Sequence, residues 1–141
     1  MNDRTIEVRL ANQLGYERVA MACSASFARI MGLSPERIED LKTMVSEAAI
    51  NAMMHGNKGR PDARVVVFMN CQGDTIHVSV MDEGDGIKQF PPDPDIEKII
   101  ENLDPPIGFG LFLIKKLADQ VEFNRIDGRH VVNMAIKMKS Q

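Results

Sequence analysis

The sequence has no tryptophan, one tyrosine and six phenylalanines in 141 residues. Its core must therefore be built from aliphatic side chains and from its ten methionines, which fill irregular gaps. Only two cysteines occur, Cys23 and Cys71, far apart in apolar rows. That number and spacing argues for two reduced core thiols and against a disulfide framework, and no His/Cys cluster has zinc-ligand spacing. No apolar run approaches the ~20 residues of a membrane span. The opening "MNDRTIEVRL" lacks the apolar stretch of a signal peptide, so a cytoplasmic protein is expected. Basic residues are not in excess: the net charge is −3, which provides no surface for nucleic acid or an anionic membrane. There is no internal repeat and no linker. The length suits one domain over residues 1–141 with a real core.

What is present is a clear alternation of patterns. "RTIEVRLA" alternates as a strand does. From Leu14 to Gly32, apolar residues return at helical spacing (Tyr16, Val19, Cys23, Phe27, Ile30), and Gly32 ends the run. Ser34 and Pro35 open a second helix as N-cap and first helical residue. Its apolar stripe is Ile38, Leu41, Val45, Ala48 and Ala52. "HGNKGRPDA" reads as a turn region. "RVVVFMNC" and "DTIHVSVMD" read as a hairpin around "QGD". Residues 88–106 carry five prolines and many charges and read as a mobile loop with a little helix. "GLFLIKKLAD" is helical, and a last hairpin turns at Asp127-Gly128. The order predicts an α+β fold with helices covering one face of a largely antiparallel sheet.

Three motifs carry chemistry. Glu47 and Asn51 are four residues apart, on one helix face at the edge of the apolar stripe. A carboxylate there can take a proton from a hydroxyl at a reacting phosphate. A carboxamide oxygen is a hard donor that suits Mg²⁺. Taken alone, the pair also fits a solvated helix flank. The second motif is "VMDEGDGI". Asp82 continues the inward row of Ile76, Val78 and Val80 by the two-residue period of a strand. A buried carboxylate needs partners, and the exocyclic amine of adenine would be one. Gly84 and Gly86 let the chain turn and a ligand approach the backbone; a polar turn closing a strand is the plainer reading. The third is "IGFGLFLIKKLAD", with Gly108 and Gly110 opening an amphipathic helix whose inward residues are Leu111, Ile114, Leu117 and Ala118. Exposed N–H groups and the helix dipole suit phosphates. The spacing is not that of a Walker A loop, and a hinge would also fit.

In combination and in this order, Glu-x-x-x-Asn, Asp-x-Gly-x-Gly, a proline-rich segment and Gly-x-Gly before a helix resemble the GHKL ATPase superfamily, which includes gyrase, MutL and the histidine kinases. Within it, "NAMMHGN", "DEGDGI" and "GFGLFLIKKLADQVEF" are similar to the anti-sigma-factor serine/threonine kinases of bacterial partner-switching systems. The resemblance covers nearly the whole chain. It implies the Bergerat fold, a two-layer α/β sandwich with a mixed, mostly antiparallel sheet. It implies that Glu47 is the general base and that Asn51 coordinates Mg²⁺. Asp82 would read adenine, and Gly84, Gly86, Gly108 and Gly110, with Ile87, Phe109 and Leu111, would shape the base and phosphate walls. Residues 88–107 would be an ATP lid. The implied ligands are ATP or ADP with Mg²⁺. The implied partners are a STAS-domain antagonist and a sigma factor or other target, with the chain a homodimer.

The chain departs from that family in two places. Where members often carry a threonine supporting the adenine-binding Asp, this chain has "RHVVNM", with His130, Val131 and Asn133. No arginine precedes the glycines of "LDPPIGFG"; Lys88 and Lys98 are the only basic lid residues, and Lys115 and Lys116 come later. The leading expectation is a kinase acting on a STAS-type protein, and the second is an ATP/ADP-sensing binding module with little or no kinase activity. A histidine-kinase catalytic domain would need a phosphoacceptor helix bundle, and a gyrase- or MutL-like protein a transducer domain. His55 is expected to play a local structural part, His77 to lie on the outer sheet face, and Ser24 and Ser26 on a helix surface. Met44, Met53, Met54, Met134 and Met138 are expected as core and interface filler.

Overall fold

A computed structural model describes residues 4–83 and 108–138. Gly84, Gly86, Ile87 and the proline-rich segment lie outside these residues, and of Gly108 and Phe109 only the helical backbone is described. The elements are β1 (Ile6–Ala11), α1 (Glu17–Met31), α2 (Pro35–Asn51), a π-helical turn (Ala52–Gly56), β2 (Arg64–Gln72), β3 (Thr75–Met81), α3 (Gly108–Leu117), β4 (Gln120–Ile126) and β5 (Arg129–Lys137). The strands form one sheet in the order β1-β2-β3-β5-β4, and every pair is antiparallel.

Local chemistry explains the boundaries. Gly32 ends α1 at φ 97°, where its N–H caps the carbonyls of Ala28 and Arg29. The Ser34 hydroxyl accepts from the Arg37 N–H, and Pro35 follows at the first helical position. The last hairpin turns through Asp127 and Gly128, both at positive φ, which suits the right-handed twist of the flanking strands.

Registers across the sheet stack the inward rows. Val67, Val80, Val132 and Phe123 lie across four strands, as do Met69, Val78, Met134 and Val121. The whole expected stripe of α2 is buried, and Met44 on its flank is buried too. The flank is closed by α3, which puts Leu111 and Ile114 into the same core. Met53 and Met134 are core residues, Met138 is partly buried, and Met54 is exposed. Cys23 and Cys71 are half-buried against the core as free thiols.

Two expectations need correction. Of the α1 repeat, only Phe27 is fully buried, while Tyr16, Val19 and Ile30 are exposed. The face turned to the core is Ala20, Ser24, Ala25, Phe27 and Ala28, all but Phe27 small residues that allow α1 to approach its neighbour closely. Ser24 is therefore not on a helix surface. It is fully buried, and its hydroxyl donates back to the Ala20 carbonyl at 2.9 Å.

Arg37 ties the far end of α3 to the start of α2. Its guanidinium donates to Asp40, to the Leu117 carbonyl that ends α3, and to Asp119. Asp119 in turn accepts the Lys137 N–H at 2.6 Å.

Candidate functional site

The last turn of α2 carries Glu47 and Asn51 toward the N-terminus of α3. Gly110 sits directly against them: a Cβ built there would lie 2.7 Å from both Asn51 Nδ2 and Glu47 Oε2. The glycine is thus a requirement of close approach. Asn51 Nδ2 is buried without a hydrogen-bond partner among the described residues, an uncommon state for an amide. Burial raises the pKa of Glu47 above its ordinary 4.5. A carboxylate with a raised pKa is a better proton acceptor near neutral pH.

Beyond Asn51 the helix does not simply stop. It widens into the π-helical turn Ala52–Gly56, closed by the Asn57 N–H donating to the Ala52 carbonyl at 2.7 Å. Single π-turns often mark functional sites. This one brings the Cα of Gly56 onto the carboxylate of Asp82, so close that a Cβ at residue 56 would stand 2.5 Å from Asp82 Cγ.

Asp82 is 3 % exposed at the end of β3. Its N–H donates to the His130 carbonyl at 3.1 Å, and its Oδ1 accepts the His130 N–H at 3.2 Å. The backbone of β5 thus holds Asp82 at both its N–H and its carboxylate. The His130 side chain is buried beside the acid; burial lowers its pKa from the ordinary 6.5, Asp82 opposes that shift and Arg125 adds to it.

Between these walls lies a pocket lined by Ala48, Asn51, Ala52, Gly56, Val80, Asp82, Leu111, His130 and Val132. Its walls are mainly small and aliphatic, and its polar side chains are the Asp82 carboxylate, the Asn51 carboxamide and the His130 imidazole. The free space is small, about 30 Å³ among the described residues, but this lining is the kind that a flat ring with a hydrogen-bond donor at its edge would need. The structure therefore brings together Glu47, Asn51, Asp82, Gly110 and Leu111 of the expected residues. It adds Gly56 and Asn57, which lie in "NAMMHGN" but were given no role there, and His130, which the sequence marked only as a departure from the family's threonine. His55 is half-buried within the π-turn, and His77 is half-buried on the opposite sheet face beside Ser79 and Asn133. The described residues hold no cluster of His, Cys, Asp and Glu fit for a metal, and none of their helices is long and apolar enough to cross a membrane.

Residues 10–136 match the family described as the histidine kinase-like ATPase domain. The serine-protein kinase RsbW of Oceanobacillus iheyensis is 34 % identical over 128 residues, covering 84 % of this chain and 78 % of that protein. The chain belongs to the GHKL ATPases, among the anti-sigma-factor serine kinases. RsbW of Bacillus subtilis is 30 % identical over 132 residues, 87 % of this chain and 79 % of its own. The anti-sigma F factor of Oceanobacillus iheyensis is 32 % identical over 112 residues, 75 % and 73 % of the two chains. A solved Mycobacterium tuberculosis protein with RsbU and RsbW domains superposes with a TM-score of 0.69 at 18 % identity, over 97 % of this chain. This chain spans 33 % of that one, and the likeness speaks for the fold. Membership in an ATPase domain family makes ATP the ligand of this fold.

Proposed function

We propose that the protein is an ATP-dependent protein serine/threonine kinase that phosphorylates a STAS-type antagonist and, by partner switching, sequesters a sigma factor or another regulatory target. The observation that carries this reading is the slot itself, with a pinned carboxylate, Asp82, and the Glu47–Asn51 pair under Gly110. Asp82 accepts the hydrogen bond of the adenine amine, and the aliphatic walls cover the ring faces. Gly84, Gly86 and Ile87 complete the base wall in this reading, and residues 88–107 are the lid. The triphosphate runs toward Gly108, Phe109 and Gly110, where backbone N–H groups and the helix dipole favour an anion.

Glu47 holds the substrate hydroxyl in line and receives its proton as the oxygen bonds to the γ-phosphorus and the bond from that phosphorus to the bridging oxygen breaks, leaving ADP. Its raised pKa fits that task. The donor chemistry fits Mg²⁺, a cation that prefers oxygen ligands: a carboxamide and a carboxylate lie side by side against Gly110. Asn51 Oδ1 would hold the ion, which when bound neutralises charge on the phosphates.

In the same reading the chain is one cytoplasmic domain that works as a homodimer. The absence of an arginine in "LDPPIGFG" favours a second reading, a nucleotide-sensing binder that transfers little phosphate. Labelled ATP, Mg²⁺ and the STAS-type protein encoded beside it decide between the two. Label on a serine or threonine of the partner, lost with Glu47→Gln, supports the kinase. Nucleotide binding without any transfer supports the sensor.

A further inference from the structure

The HGN segment, His55 to Asn57, is not used by the chemistry above, yet Asn57 is fully buried. All of its polar side-chain atoms are engaged. Its Oδ1 accepts the Glu83 N–H at 2.7 Å. Its Nδ2 donates to the Arg64 carbonyl at 2.9 Å, where β2 begins, and to Asn12 Oδ1 at 3.2 Å. Asn12, itself buried, donates onward to the Arg60 carbonyl at 2.8 Å. The result is a two-amide strut from the end of β1, through the π-turn, to the residue that follows Asp82.

Asp82 is thereby fixed from three sides. The backbone of His130 holds its N–H and Oδ1, Gly56 stands against its carboxylate, and Asn57 anchors the next peptide. With the Glu83 N–H released, the Cα of Asp82 would be held only from the β3 side, and the carboxylate it carries would lose a fixed position. The first two restraints lie on the acid itself. Only the third sets the direction in which the chain leaves it.

We propose that Asn57 is a positioning residue for base recognition: by holding the Glu83 N–H it keeps the Asp82 carboxylate aimed at the exocyclic amine of adenine. This rests on the nucleotide reading of the slot. The strut is costly to build, because two buried carboxamides must find all their partners. Its register is set by the π-turn, which places Asn57 beneath β3 at the height of Glu83.

The test compares ATP with inosine triphosphate, which carries an oxo group in place of the amine, by calorimetric titration with Mg²⁺. A hydrogen bond to a charged acceptor implies that the wild type prefers ATP by roughly 10- to 100-fold. Asn57→Ala loses the hold on Glu83, and its preference is expected to fall by at least about fivefold. Asn57→Asp keeps an acceptor for Glu83 while placing an oxygen against the Arg64 carbonyl. It is expected to melt lower than the wild type and still discriminate better than Asn57→Ala, a split that a merely structural role would not give. Hydrogen exchange of the Glu83 amide in the wild type, read by NMR, does not depend on any variant folding and is expected to be slow. A folded Asn57→Ala with the wild-type preference, or fast exchange at Glu83 in the wild type, overturns the proposal alone. A wild type that binds both nucleotides equally overturns the reading of the amine by Asp82 as well, and one that binds neither overturns the nucleotide reading of the slot.

Discussion

Replacing Gly56 by alanine puts a methyl group where the structure has none to spare. The new Cβ would lie 2.5 Å from Asp82 Cγ and 2.8 Å from Asp82 Cβ, against about 3.4 Å for an ordinary contact. Asp82 Oδ2 would be met closer still, so one partner must retreat by more than about 0.9 Å. Asp82 cannot yield by swinging a flexible tip, since its Cβ is among the atoms met and its Oδ1 is held by the His130 N–H. The cost is overpacking, typically ~1–3 kcal/mol, plus a weakened hydrogen bond to a buried charge, ~1.5–3 kcal/mol if lost outright. A total of about 2–4 kcal/mol corresponds to a fall in Tm on the order of 10 °C for a chain of this size. ATP affinity should fall further than stability explains, by roughly tenfold or more at a temperature where the variant is folded, because the displaced carboxylate no longer meets the base. Thermal melting by circular dichroism and calorimetric ATP titration read the two effects separately. A Gly56→Ala protein with unchanged Tm and unchanged ATP affinity would refute the close approach of the π-turn to Asp82.

Gly110→Ala should behave differently. Its Cβ meets the ends of two side chains, Asn51 and Glu47, at 2.7 Å, and these can swing aside. The expected result is a Tm within a few degrees of wild type and a loss of phosphoryl transfer of at least roughly tenfold, measured with labelled ATP. Glu47→Gln should bind ATP nearly as the wild type does while transfer falls by about 10²–10⁴. Because the folded-state pKa of Glu47 is raised by burial, the rate of transfer should rise with pH through a midpoint above the ordinary 4.5, and Glu47→Gln should lack that limb. The same sign applies to stability: above pH 4.5 the folded form holds its proton longer than the unfolded chain. Glu47 therefore makes the protein less stable as pH rises through this window, and Glu47→Gln flattens that part of a melting-temperature profile. Arg37→Ala removes links to Asp40, Leu117 and Asp119, all partly exposed, and should cost about 1 kcal/mol or less in denaturant unfolding.

Periodicity made most of the architecture legible. The α2 stripe and the β3 row ending at Asp82 emerge buried as their spacing requires, because burial is what produces such spacing. In α1 the same logic misleads. The helix packs through Ala20, Ser24, Ala25 and Ala28, and leaves Val19 and Ile30 exposed; small residues that permit close approach carry little hydrophobic signal. At the site, Glu47, Asn51 and Asp82 stand out because an acid or amide beside an apolar row needs a reason. The roles of Gly56, Asn57 and His130 do not stand out, although "NAMMHGN" and "RHVVNM" contain them. The turn-like composition of "HGNKGRPDA" hides a π-turn, and the partners of Asn57 lie 45 and 26 residues away at Asn12 and Glu83. No local pattern encodes such pairings. The β5 backbone supports Asp82 through its peptide groups, a role to which the side-chain identity at residue 130 gives no clue.

Asp82 is the group on which selection of the nucleotide depends in the proposed function. Calorimetric titration of ATP with Mg²⁺ into the wild type and Asp82→Asn tests this most directly. The substitution keeps the size of the side chain but replaces one acceptor oxygen with a donor facing the base amine. The account predicts saturable binding to the wild type and a loss of roughly 100-fold or more in the folded variant. Equal ATP affinity in the two proteins would contradict it.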